Sequence, residues 1–94
     1  MRKIEVCCST LKEVLEAERA GAFRVELCSA IALGGITPSF GVIRSVVEAV
    51  TTIKVNFLIR VREGVFWYSD EEVEAMCRDI EFCREVGADG VVIG

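Results

Sequence analysis

The chain has 94 residues, 52% of them hydrophobic, with a net charge of −4 and no histidine. That is one small domain or part of a larger one, too apolar to be disordered. The acidic balance and the lack of a basic cluster argue against nucleic acid and anionic membrane as partners, and no apolar run approaches the ~20 residues of a membrane span.

The N-terminal MRKIEVCCST lacks the apolar core and small-residue cleavage site of a signal peptide, so a cytoplasmic protein is expected. The cysteines at 7, 8, 28, 77 and 83 are then read as reduced thiols, not as a disulfide framework. Without a CxxC pair or a histidine, the pattern argues against a conventional structural zinc site, and histidine acid–base chemistry has no residue to carry it.

In chain order, residues 3–8 read as a short strand. Thr10 is placed to cap a helix, with Glu13 completing a capping box and Leu11, Val14 and Leu15 forming an apolar stripe. Gly21 is placed to end that helix, and residues 23–28 form a second strand. Thr37-Pro38-Ser39 predicts the opening of another helix, with Pro38 in its first turn and Ile43, Val46, Val47 and Val50 on its core face. Residues 53–59 form a third strand ending at Arg60. Ser69 and Glu72 make a second capping box, leading into a helix whose apolar face carries Val73, Met76, Cys77 and Ile80 and which closes near Gly87. Val91 to Ile93 begins a fourth strand. A βαβαβαβ order implies right-handed crossovers and a parallel sheet.

Residues 20–28 (AGAFRVELC) and 86–94 (VGADGVVIG) echo one another at an offset of 66, two βα units of about 33 residues each. Eight such units make a (β/α)8 barrel of about 250 residues, whereas an open four-stranded sheet leaves its edges uncovered. The expected fold is therefore an α/β parallel (β/α)8 TIM-type barrel. Residues 1–94 would supply the N-terminal part of that single domain, about four strands and three helices, with the remainder absent.

Strand alternation places Glu5 and Cys7 on one face of the first strand, and Arg24, Glu26 and Cys28 on one face of the second. The outer face of a barrel is covered by helices and should be apolar, so these polar residues point inward, joined by Arg60 beyond Asn56 and Leu58. Buried charges must be paired, and Glu5 and Glu26 balance Arg24 and Arg60. Glu5 and Arg24 read as a structural ion pair. Glu26 and Arg60 lie nearer the C-terminal strand ends, where such barrels place their chemistry, and are candidate catalytic residues. Cys7 and Cys28 end neighbouring strands about 4.8 Å apart, so two thiolates could share a soft ion such as Cu(I), or simply line the core. Gly34, Gly35, Thr37 and Ser39 form a mouth loop before a helix N-terminus, a candidate anion-binding segment that could equally be only a turn. Arg62 adds a second guanidinium beside it. Phe66, Trp67 and Tyr68 follow as a lid, a subunit contact or loop packing.

Glu5-Val6-Cys7, Arg24-Val25-Glu26-Leu27-Cys28, Gly34-Gly35-Ile36-Thr37-Pro38-Ser39, Ile59-Arg60, Tyr68-Ser69-Asp70 and Gly87-Ala88-Asp89-Gly90 together resemble the CutC-type copper homeostasis family, essentially end to end. The resemblance implies a cytoplasmic TIM-type barrel, usually a homodimer, linked to copper handling, with Cu(I) at Cys7 and Cys28. Two departures stand out. The family usually has Arg-Pro-Arg-Gly-Gly where this chain reads Arg60-Val61-Arg62-Glu63-Gly64, and a later strand with a His-Arg-Ala-Phe-Asp-like motif is absent. Three functions compete: a copper-binding protein using Cys7 and Cys28, a barrel enzyme acting on a small anionic metabolite through Glu26 and Arg60, and an inert fragment.

Overall fold

The computed structural model describes residues 3–94. Four strands, β1 (Glu5–Cys8), β2 (Arg24–Leu27), β3 (Lys54–Ile59) and β4 (Gly90–Ile93), alternate with three helices, α1 (Leu11–Arg19), α2 (Phe40–Ala49) and α3 (Asp70–Val86). The sheet is parallel throughout and ordered β1-β2-β3-β4. Its register aligns Cys7 with Glu26, Glu26 with Asn56, and Asn56 with Gly90. This is the N-terminal part of a (β/α)8 barrel, as the βαβ rhythm predicts.

Both capping boxes form. The Thr10 hydroxyl accepts from the Glu13 amide while the Glu13 carboxylate returns to the Thr10 amide, and Ser69 and Glu72 repeat the arrangement. The 66-residue echo is structural as well. Gly21 and Gly87 both adopt left-handed φ, +87° and +89°. Gly21 bonds back to Glu18 and Ala22 to Ala17, while Gly87 bonds back to Arg84 and Ala88 to Cys83. These are paired Schellman closures, which need a residue without a Cβ penalty at the turn. Each leads into the next strand, β2 after Gly21 and β4 after Gly87.

The core lies between the helices and one face of the sheet. Val25, Leu27, Val55, Phe57 and Ile59 meet Val14 of α1, Ile43 and Val46 of α2, and Met76 and Cys83 of α3. Phe40 and Phe82 stack at 4.2 Å and tie α2 to α3.

The structure departs from the sequence expectation at two helices. α2 opens at Phe40, capped by Ser39, so Pro38 precedes the helix and is buried outside its first turn. Thr37 explains the delay: its amide and hydroxyl both bond the Arg60 carbonyl, which holds the preceding chain extended. On α3, Cys77 is exposed and Val73 is 47% exposed, while Cys83 is buried. The core stripe runs through Met76, Ile80 and Cys83 at i, i+4, i+7, and Cys77 sits a further 100° around the helix. The first three strands also start a residue or two later than expected, β2 ends one residue before Cys28, and β4 starts one residue earlier, at Gly90.

Candidate functional site

The face of the sheet away from the helices carries the polar residues, as alternation requires. At its lower end Arg24 Nε donates to Glu5 Oε2 at 2.9 Å, the expected pair, with the side chains 38% and 40% exposed. At the upper end Cys7 and Cys28 place their sulfurs 3.9 Å apart, in thiol–thiol contact and unbonded. Cys7 is exposed, whereas Cys28 is buried. Burial, contact with the Cys7 thiol and the nearby charge of Glu26 push the Cys28 thiol up to about 11. Cys8, on the opposite face, is packed into the core, and burial raises its thiol too.

Cys28 is covered by the mouth loop. A short 3-10 turn at Ile31–Leu33 leads to Gly34 and Gly35, both in left-handed φ, and the chain returns through a Ser29–Ile36 bridge. Gly35 is buried on Cys28 and Leu58: a Cβ there would fall 2.9 Å from Leu58 Cδ2 and 3.3 Å from the Cys28 sulfur. The glycine thus lets the loop lie directly on the thiol.

Arg60 directly follows β3 and is only 6% exposed. Its backbone is fixed by Thr37, whose hydroxyl accepts from the Arg60 amide at 2.8 Å. Its guanidinium donates to the carbonyls of Leu33 (3.3 Å), Gly35 (3.1 Å) and Gly64 (2.8 Å), and its Nε has no acceptor. The Phe66 ring rests on the guanidinium, with its centroid 4.6 Å from Cζ. The charge balance read from the sequence therefore holds for Glu5 with Arg24 but not for Glu26 with Arg60, which answers to backbone oxygens. Arg62 holds the loop around itself. It pairs with Glu72, donates to the carbonyls of Glu63, Val65 and Trp67, and lies over the Tyr68 ring. The Ser69 amide, foremost, and the Arg62 guanidinium draw the Glu72 carboxyl below its usual range.

The candidate residues thus gather in two places. Cys7, Cys28 and Glu26 form a thiol-rich patch; Arg60, Gly34, Gly35 and Thr37 form a second cluster at the same strand ends. Ser39 is occupied capping α2 through the Val42 amide, and Arg62 by its loop. The Leu33 and Gly64 carbonyls and the Phe66 ring carried no sequence signal as partners of Arg60, because only the loop path brings them there. Among the described residues no three Cys, Asp or Glu side chains converge as a metal cluster, so the two thiols stand as a pair. No helix among them is long and apolar enough to cross a membrane.

A parallel βα sheet with a thiol pair and a buried guanidinium at its C-terminal strand ends has the architecture of part of a TIM-type barrel. The sequence model of the CutC family matches residues 2–94, and the chain belongs to that family. A CutC family protein of Salmonella typhimurium (strain LT2) is 50% identical over 94 residues, all of this chain and 38% of that protein; one of Salmonella typhi is 49% identical, with 36% of it covered. The chain therefore spans little more than a third of these relatives. The crystal structure of the CutC protein of Streptococcus agalactiae, named for copper homeostasis, superposes with a TM-score of 0.92 at 38% identity, over all of this chain and 46% of that one.

Proposed function

We propose that this chain forms the copper-binding mouth of a CutC-type protein that handles copper in the cytoplasm, with Cys7 and Cys28 as the ligands of one Cu(I). The observation that carries this reading is the 3.9 Å sulfur separation. With metal–sulfur bonds of about 2.3 Å, that spacing corresponds to an S–metal–S angle of about 115°, so a bent two-thiolate site needs little movement. Paired thiolates without nitrogen or further carboxylate ligands suit a soft monovalent ion.

Glu26 lies on β2, which ends one residue before Cys28, and its charge acts on that thiol. Copper must displace a firmly held proton from Cys28. The exposed Cys7 makes first contact with the ion, and the loop over Cys28 then shields it. Titration of the reduced protein with Cu(I) against a chromogenic chelator should give one ion per chain. The double variant Cys7→Ser, Cys28→Ser should lose that binding, and a variant that binds like the parent sinks the assignment.

A further inference from the structure

We propose that Arg60 is the anchor of a small-oxyanion site at the barrel mouth, separate from the thiol pair, taking a carboxylate or phosphate group. Among the described residues no carboxylate lies within the 4.0 Å of an ion pair with its guanidinium, although the residue is 94% buried. The three carbonyls that bond it supply dipoles and no net charge. A buried cation left in that state is expensive, and the fold would gain by admitting an anion.

The geometry says where the anion goes. The Leu33 and Gly35 carbonyls both accept from Nη1, and the Gly64 carbonyl accepts from Nη2. The Nε–H, with no acceptor, and the remaining Nη2–H are left. The Nε and Nη2 edge of a guanidinium is the fork that carboxylates and phosphates accept from in bidentate fashion. The fork is shut off from water in this conformation, so the oxyanion enters as the loop bearing Gly64 and Phe66 opens. Phe66 is 68% exposed and Val65 70% exposed, and opening gives up the Gly64 bond and the Phe66 contact with the guanidinium. The Thr37 bonds hold the Arg60 backbone fixed meanwhile, keeping the fork in place at the end of the strand.

The test follows the Arg60 Nε–H resonance by NMR while the protein is titrated, at constant ionic strength, with inorganic phosphate and separately with acetate. A saturable shift of that resonance is expected with at least one of them. A response to phosphate alone assigns the site to phosphate groups, to acetate alone to carboxylates, and to both to oxyanions in general. Arg60→Lys keeps the charge but loses the fork, and should weaken binding by about tenfold or more. The Cys7→Ser, Cys28→Ser variant should bind the same anion unchanged, which separates this site from the copper reading. No saturable shift with either anion overturns the proposal, as does full-strength binding in Arg60→Lys. Where that variant does not fold, the wild-type resonance decides alone.

Discussion

Cys28 concentrates opposing demands in one atom. Burial, the Cys7 contact and the neighbouring charges raise its thiol from an ordinary 9.0 to about 11, so at neutral pH it is protonated and a poor ligand until a metal displaces the proton. Cu(I) affinity should therefore climb with pH, by about tenfold per unit for the Cys28 proton alone, in a chelator competition run at several pH values. An affinity flat with pH would mean that Cys28 is not a ligand. The same shift affects folding. A thiol whose folded pKa is raised stabilises the fold fully below the unfolded value of about 9, and that contribution is lost as pH rises through about 11. Cys28→Ser should flatten the alkaline end of the stability curve measured by urea unfolding. The Gly35 contact belongs to the same neighbourhood. Gly21→Ala, with open space around its left-handed turn, should lose about 1 kcal/mol from backbone strain. Gly35→Ala adds a clash with Leu58 and Cys28, and should lose a further ~1–3 kcal/mol. Equal losses in denaturant midpoints would show that the loop does not lie on the thiol.

Among the elements, the helices follow from sequence most directly, because their ends are chemical. Thr10 with Glu13 and Ser69 with Glu72 announce α1 and α3, and both boxes form at those residues. The start of α2 is less legible: Thr37, Pro38 and Ser39 are all plausible openers, and the choice falls to a contact 23 residues away, between Thr37 and Arg60. The same holds for Arg60 itself. Its place on the inner face was readable from alternation, but its carbonyl partners depend on the backbone of two loops, which no residue pattern encodes. Glu18 is a further case. It lies at the end of α1, and its carboxylate gathers the backbone amides of Thr51, Thr52 and Ile53 before β3, at 2.9 to 3.1 Å. Those bonds, that of Thr52 foremost, pull its pKa to about 2. A depressed carboxylate contributes stability above its unfolded value near 4.5 and loses it as pH falls through about 2. Glu18→Gln should therefore be less stable than the parent at neutral pH, and the difference should vanish at the acid end. A difference independent of pH would place the effect of Glu18 outside this charge-assisted cap.

At the scale of the whole molecule, the sheet stands open. In the matched Streptococcus agalactiae protein this stretch corresponds to 46% of the chain, and a closed barrel satisfies its strands on both sides. Here β1 and β4 lie at the two ends of the sheet order; Ile4, just before β1, is 62% exposed, and Ile93, the last residue of β4, is 60% exposed. Val65, Phe66 and Trp67 add apolar surface at the mouth. Unpaired N–H and C=O groups beside exposed β-branched residues make a template for strand addition. The high apolar content of the sequence points the same way: 52% hydrophobic residues exceed what a four-stranded sheet with three helices on one face can cover. The 94-residue chain on its own should therefore self-associate, its sedimentation coefficient rising with concentration. Ile93→Lys puts a charge on the β4 edge, the device by which natural sheets discourage pairing, and should shift the distribution toward monomer. Self-association unchanged in that variant would move the contact to the aromatic loop. A concentration-independent monomer that unfolds in one cooperative transition would show that the helix-covered core stands alone and that the open edges are tolerated.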